Sequence, residues 1–313
     1  MFDENNAYLL GKLVGSSQYK TRKFGEEYEK LVRPVLTSWF NNKPCRERLI
    51  FSNQTGGTLY TLSTPKESIE VEVEEMMSIT ENEKDEEIRY KIIFFHPSLA
   101  EEFREKGAAN FLKHCLLVKI FNEERMAEIS DLNRYYPCIE PKVLKYGRTL
   151  VRGAIFYLEK NKKRLGINKI ELQDEAAHWC EGKPYYPIKM VYSRQLLGEI
   201  PYYWQFGFRP ITHEVTKIIG YNMSKARNFT IDKEVVDGKN IINYIVSKLE
   251  FGQELYDIIA EEYTKHEKLY TFLQWLSDNF CVLYFHIYDD LFRDLKLLDP
   301  YRGVNSRWRL ELD

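Results

Sequence analysis

Residues Thr149–Arg164 read TLVRGAIFYLEKNKKR, and after Leu165 and Gly166 the segment Ile167–Leu172 reads INKIEL. Leu150, Ala154, Tyr157 and Leu158 recur at helical spacing and share one face. The lysines gather at the far end, where the negative end of the helix dipole favours them. Gly166 is placed to end the helix, and INKIEL then reads as a strand. A helix, a glycine stop and a strand within about 25 residues make half of a βαβ-like unit. The pattern predicts an α+β (α/β) chain with a mixed central sheet flanked by helices.

On the N-terminal side, residues 1–45 read as a helical extension: Phe24, Tyr28, Leu31 and Val32 fall at helical spacing before Pro34 interrupts. Asn53–Gly57 (NQTGG) is a turn signal. Strands are expected at Thr58–Ser63, Ser68–Val73 and Arg89–Phe95. In the second, Ile69, Val71 and Val73 alternate with Glu70, Glu72 and Glu74. The charge run Glu81–Glu87 (ENEKDEE) reads as a solvated loop. Ser98, with Glu101 three residues on, has the pattern of a capping box.

On the C-terminal side, Gln173–Ala177 leaves the strand as a loop. Tyr192–Phe206 reads as a helix or helix-turn ending at Gly207, and Phe208–Ile211 begins a strand that Pro210 restricts to an edge or bulge. Past Asp232 the period becomes helical throughout: Asp232–Leu249, Gln253–His266, Glu267–Ser277 and Cys281–Leu297. Leu255, Ile258, Ile259 and Tyr263 form one stripe, and Leu269, Phe272, Leu273 and Leu276 another. The expected blocks are therefore 1–45, 46–230 and 231–313.

Composition narrows the function classes. The 313 residues carry 47 acidic and 45 basic side chains, a net charge of −2, so there is no basic footprint for nucleic acid. The 22 Tyr and 18 Phe imply large cores or surfaces that become buried against partners. Five dispersed cysteines, with no CxxC, read as reduced thiols in a cytosol-like compartment. The acidic start MFDENNAYLLGKLVG does not read as a secretory signal. The longest apolar run, Phe280–Tyr288, is far short of the ~20 residues of a spanning helix. Six dispersed histidines show neither HxH nor HExxH spacing, so no metal is expected. His178 and Cys180 (AAHWC) offer a base and a nucleophile, but side chains this close in sequence rarely face each other, and no third partner is visible.

The segment GINKIELQDEA (166–176), followed about 30 residues later by PYYWQFGFRP (201–210), resembles the second half of the GNAT (GCN5-related N-acetyltransferase) fold. It looks most like divergent GNAT-like proteins encoded by large DNA viruses. In that family a central helix leads into a strand, a further helix and a Tyr-x-x-x-Gly-Phe turn before the last strands. Here these would be Thr149–Arg164, Ile167–Leu172, Tyr192–Phe206 and Tyr203-Trp-Gln-Phe-Gly207-Phe208. The resemblance covers roughly residues 135–215.

The resemblance implies three sites. Acetyl-CoA pyrophosphate would sit on backbone N–H groups at the start of the central helix, Tyr146, Gly147, Arg148, Thr149 and Leu150, where unpaired amides and the dipole favour anions. Tyr203 would protonate the departing thiolate. Asp174 or Glu175 would accept the proton of the incoming amine. The chain departs from the family's phosphate loop, Gln/Arg-x-x-Gly-x-Gly/Ala. With Gly147 at the first glycine, Leu144 takes the Gln/Arg place and Thr149 the second small position. Tyr146 stands before the single glycine, and Arg148 is the available phosphate ligand.

Two functions follow from different classes. One is an N-acetyltransferase moving an acetyl group from acetyl-CoA to an amine. The other is a catalytically silent GNAT-fold structural or interaction protein of the cytoplasm or a virion, joined to a protein partner or a second copy through its aromatic C-terminal helices. A tyrosine within Tyr202-Tyr203-Trp204 also serves as a packing residue, and Gly147 also as a cap or turn glycine.

Overall fold

The computed structural model describes residues 50–52, 59–63, 68–82, 85–106, 114–132, 146–180, 187–231, 235–236, 239–248, 253–302 and 306–312. The helical extension expected over 1–45 and the turn at Asn53–Gly57 lie outside them. In chain order the strands are β1 (Ile50–Ser52), β2 (Leu59–Ser63), β3 (Ser68–Asn82), β4 (Asp85–Phe95), β5 (Leu116–Phe121), β6 (Met126–Leu132), β7 (Lys169–Gln173), β8 (Ala177–Trp179), β9 (Pro187–Lys189), β10 (Arg209–Pro210), β11 (Val235–Val236), β12 (Lys239–Asn240) and β13 (Arg307–Glu311). The helices are α1 (Ala100–Lys106), α2 (Tyr146–Leu165), α3 (Met190–Leu196), α4 (His213–Asn228), α5 (Ile241–Lys248), α6 (Gln253–Tyr263), α7 (Leu269–Asn279) and α8 (Cys281–Asp294). The chain is α+β, as expected.

It divides into two compact units. The sheet unit takes Pro44–Gln173, Phe206–Arg209 and Arg307–Asp313, and the helical unit includes Asp174–Gln205 and Pro210–Ser306. This differs from the expected blocks, because β13 returns to the sheet while 174–205 pack among the helices.

The sheet has nine strands in the order β1-β2-β3-β4-β5-β6-β7-β13-β10. Strands β1 to β6 form an antiparallel meander, β7 runs parallel to β6, and β13 returns antiparallel to β7. Helix α2 is the crossover between β6 and β7, as a parallel pair requires. The face under α2 is apolar: Val71, Val73, Ile92, Phe94, Val118, Ile120, Ala127, Ile129, Ile170, Leu172 and Trp308 are all buried. Leu150, Ala154 and Leu158 of α2 are fully buried, and the Tyr157 ring meets Phe94 and Tyr60 edge-on at 5.9 and 5.8 Å. Each such aliphatic or aromatic burial contributes roughly 1.5–3 kcal/mol. On the opposite face the register lines up Lys91, Lys119, Glu128, Glu171 and Arg309 on five successive strands. Glu171, only 4% exposed, is held there by the Arg309 guanidinium at 2.8 and 2.9 Å.

Several local expectations change. Strands β3 and β4 take up residues 81–82 and 85–87 of the expected loop. The register sets Glu81 opposite Glu86 and Asn82 opposite Asp85, so pairing of the strands overrides the like charges. Ser98 does not cap a helix: it lies in a 3₁₀ turn, Pro97–Leu99, whose N-cap is His96, with Nδ1 accepting from the Ser98 amide at 3.2 Å. Gly166 ends α2 in the left-handed conformation (φ 68°), with the Ile167 amide donating to the Lys162 carbonyl at 3.0 Å. The segment 192–206 is broken rather than continuous. Helix α3 stops at Leu196, and a 3₁₀ turn forms at Tyr202–Phe206. The stretch 232–249 gives the small hairpin β11–β12 before α5. Strand β10 is an edge strand, which Pro210 permits.

The helical unit is built round one apolar cluster. It includes Leu196, Tyr244, Ile245, Phe272, Leu273, Leu276, Tyr284, Ile287 and Leu291. The stripe Leu269, Phe272, Leu273, Leu276 is buried as expected, whereas Ile258 of the neighbouring stripe is exposed. Cys180 and Cys281 are joined in a disulfide, with Cα atoms 5.5 Å apart. Cys115, fully buried in the sheet unit, is also disulfide-bonded. The expectation of reduced thiols is therefore corrected: a sequence separation of 101 residues hides a pair that the fold brings together.

Candidate functional site

The sheet changes character at β6. Its pairing with β5 runs Val118↔Ile129 and then Leu117↔Asp131, so Ser130 is an extra residue, a β-bulge. The Ser130 hydroxyl donates to the Leu117 carbonyl at 3.4 Å. Pairing of β6 with β7 runs from Met126↔Lys169 to Ile129↔Leu172 and ends there, although β6 continues to Leu132. The parallel ladder thus ends at the bulge, and β6 runs on past the end of β7 at Gln173, leaving an opening beside its C-terminal end. In open α/β sheets this is where ligands bind.

The start of α2 stands over that opening. A Cβ added to Gly147 would lie 3.5 Å from Leu132 Cδ2, which brings the first turn of α2 to the end of β6. The first turn has no acidic residue. Its leading amides have no carbonyl partner within the helix. Gly147 and Arg148 are half-buried, while Thr149 and Leu150 are buried. Just before β5, the imidazole Nε2 of His114 lies 2.8 Å from Oδ2 of Asp131 on β6. The residues fit a diphosphate: the leading amides of a helix, a glycine without a side chain to obstruct approach, and an arginine in one helical turn. Gly147 is neither a cap nor a positive-φ turn residue; it lies inside α2, in a space that would accept a methyl group. Among the described residues, Leu132 Cδ2 is the atom such a Cβ would meet, at ordinary van der Waals distance.

The other predicted residues belong to the helical unit. Tyr203 lies in the 3₁₀ turn, half-buried, with its ring edge-on to Tyr202 at 5.2 Å. Asp174 accepts a hydrogen bond from the Tyr301 hydroxyl, and its amide donates to the Ser306 carbonyl at 2.9 Å. Its Oδ1 is sealed from solvent. Burial pushes its carboxyl up to about 6, with the Tyr301 hydroxyl and the Ala176 amide acting the other way. Glu175 is exposed. The five residues at the start of α2 come together, while Tyr203, Asp174 and Glu175 form no constellation with them inside one unit. Cys180, bound to Cys281, is not a nucleophile for His178.

Gly207 explains the Tyr-x-x-x-Gly-Phe spacing. It adopts φ 96°, a conformation open to glycine, and a Cβ there would crowd Leu310 Cδ1 at 3.1 Å. The turn delivers the fully buried Phe208 and then β10 to the sheet. The bulge at Ser130, the His114–Asp131 pair and β13 were missed in the sequence. Only β13 left a clear trace there, the alternation of Arg307, Arg309 and Glu311 with Trp308 and Leu310.

Comparison of the chain with protein-family models, with curated proteins and with solved structures gives no match. Among the described residues no group of three or more His, Cys, Asp or Glu is arranged to hold a metal ion, and no helix is long and apolar enough to cross a membrane.

Proposed function

We propose that the sheet unit is a GNAT-like acyl-CoA site and that the protein transfers an acetyl group from acetyl-CoA to an amine. The observation that carries this reading is the opening between β6 and β7, past the Ser130 bulge and beneath the first turn of α2. The order of elements supports it as well: central helix, strand, helix, glycine turn, then the last strands.

In this reading the amides of Gly147, Arg148 and Thr149 hold the pyrophosphate, and the Arg148 guanidinium adds charge-assisted bonds. A bulge frees backbone groups from the ladder, and an N–H released at Ser130 or Asp131 would polarise the thioester carbonyl. The amine nitrogen would attack that carbon and give up a proton to a base, and the C–S bond would break as the thiolate takes up a proton. The resemblance assigns the base to Asp174 or Glu175 and the acid to Tyr203. The binding step rests on sheet-unit residues alone.

The test is calorimetry of acetyl-CoA with the purified chain. Micromolar binding that Arg148→Ala weakens supports the site; a folded sample without binding overturns it. Tyr203→Phe should leave binding intact and slow turnover. The second reading, a silent interaction protein of cytoplasm or virion, draws on half-buried apolar residues of α7 and α8: Trp275, Val282, Leu283 and Phe285. Absence of acetyl-CoA binding favours it.

A further inference from the structure

We infer that the helical unit matures by directed thiol oxidation, in which Cys281 is the thiol first captured by an external disulfide donor and Cys180 the thiol that resolves it. The two sulfurs are not equivalent. Cys180 is 3% exposed and belongs to the apolar cluster, whereas Cys281 is only partly buried against it. A donor that meets the packed or nearly packed unit reaches Cys281 alone. Cys281 is also the first residue of α8, a 14-residue helix whose first turn holds no acidic residue and whose N-cap, Phe280, provides no side-chain hydrogen bond. A thiolate there faces uncapped amides and the positive end of the helix dipole, the setting that promotes thiolate chemistry.

The chemistry balances in two exchanges. The Cys281 thiolate attacks one sulfur of the donor disulfide, forming a Cys281–donor bond and expelling a donor thiolate. The Cys180 thiolate then attacks the Cys281 sulfur, closes the Cys180–Cys281 bond and expels the second donor thiolate. The protein loses two electrons and two protons, and the donor becomes a dithiol or two thiols. The donor class is a small-molecule or protein disulfide, which places maturation where such donors are kept oxidised. Once closed, the staple keeps its Cys180 sulfur inside the core, so a reducing thiol meets the bond at the Cys281 sulfur, the reverse of the closing step.

The test uses the full chain, reduced and then refolded with oxidised glutathione. Samples are acid-quenched over time and mapped by non-reducing peptide mass spectrometry, which distinguishes all five cysteines. In the wild type, the transient single adduct should sit on Cys281, in about tenfold excess over Cys180, before the Cys180–Cys281 peptide appears. Cys180→Ser should trap the Cys281 adduct. Equal adducts on the two residues, or Cys180 adducts appearing first, overturn the order. Alkylation of both thiols in folded, oxidised wild type overturns the staple itself. The wild-type time course decides the matter even if a variant fails to fold.

Discussion

Arg164, in the last turn of α2, donates both arms of its guanidinium to the carboxylate of Glu75 on β3, at 2.5 and 2.6 Å, across 89 residues of sequence. The Tyr157 hydroxyl donates to the same carboxylate at 2.5 Å. The basic end of the helix, which sequence alone leaves in solvent, thus clamps the helix to the sheet. Arg164→Ala should destabilise the sheet unit by about 1–2 kcal/mol, since the arginine is half exposed and its attraction is screened. Chemical denaturation measures this.

The same clamp sets an acid limit. Arg164 holds the Glu75 carboxyl below its usual range; Tyr157 acts with it, and burial opposes both. A depressed carboxyl stabilises the fold above its unfolded value and loses that contribution as pH falls through the folded one. The clamp is therefore fully present above about pH 4.5 and fades below it. Thermal melts of Glu75→Gln should lack this acid-side slope.

Asp174 works in the opposite sense. Its carboxyl is raised to about 6, chiefly by burial. A raised carboxyl binds its proton more tightly when folded, so its contribution is fully present below the unfolded value near ~4 and is lost as pH rises through about 6. The helical unit should gain on the order of 2 kcal/mol between pH 7 and pH 4.5 from this residue. Asp174→Asn should remove that slope while keeping a polar partner for Tyr301. Melts from pH 4.5 to 7.5 that show equal slopes for both proteins would overturn the assignment.

Two glycines should separate ligand binding from folding. Gly207→Ala meets a positive φ and the Leu310 side chain, so it should cost about 1–3 kcal/mol. Gly147→Ala lies in a helix with room for a methyl group, and it should be neutral or stabilising by up to about 1 kcal/mol. It should nonetheless weaken acetyl-CoA binding if the first-turn amides hold the pyrophosphate. Unchanged affinity in a folded Gly147→Ala protein counts against that site.

Asn222, fully buried on α4, donates to Gln195 Oε1 and to the Leu298 carbonyl, both at 2.6 Å, and accepts from the Leu298 amide at 2.8 Å. Asn222→Ala leaves the buried Gln195 Oε1 and the half-buried Leu298 amide and carbonyl short of a partner and should cost about 1–3 kcal/mol. Asn222→Gln cannot place its amide equally and should be intermediate. Denaturation midpoints of the two variants check the order.

The residues that sequence reading located are those whose role is periodic or conformational. Leu150, Ala154, Tyr157 and Leu158 mark the buried face of α2, Gly166 its end, and Pro210 an edge strand. Each constraint is local, so neighbouring residues carry it. The bulge at Ser130 depends on a register with β5, the clamp on Glu75 depends on a partner 89 residues away, and the disulfide depends on one 101 residues away. No short window contains both halves of such a relation. The proposed site follows the same rule: the start of α2 was readable as a helix start, while the strand end beneath it was not.

Strand β13 lies inside the sheet, between β7 and β10, yet Arg309 follows its partner Glu171 by 138 residues. During synthesis β7 emerges long before the strand that covers its outer edge. At ~5–20 residues per second, the ribosome needs roughly 7–30 seconds to make the intervening stretch. For that interval Ile170 and Leu172 lie on a strand with bare backbone donors and acceptors, the kind of edge that captures stray chains. The nascent protein thus has a window of exposure that closes only when the two cross-strand neighbours meet.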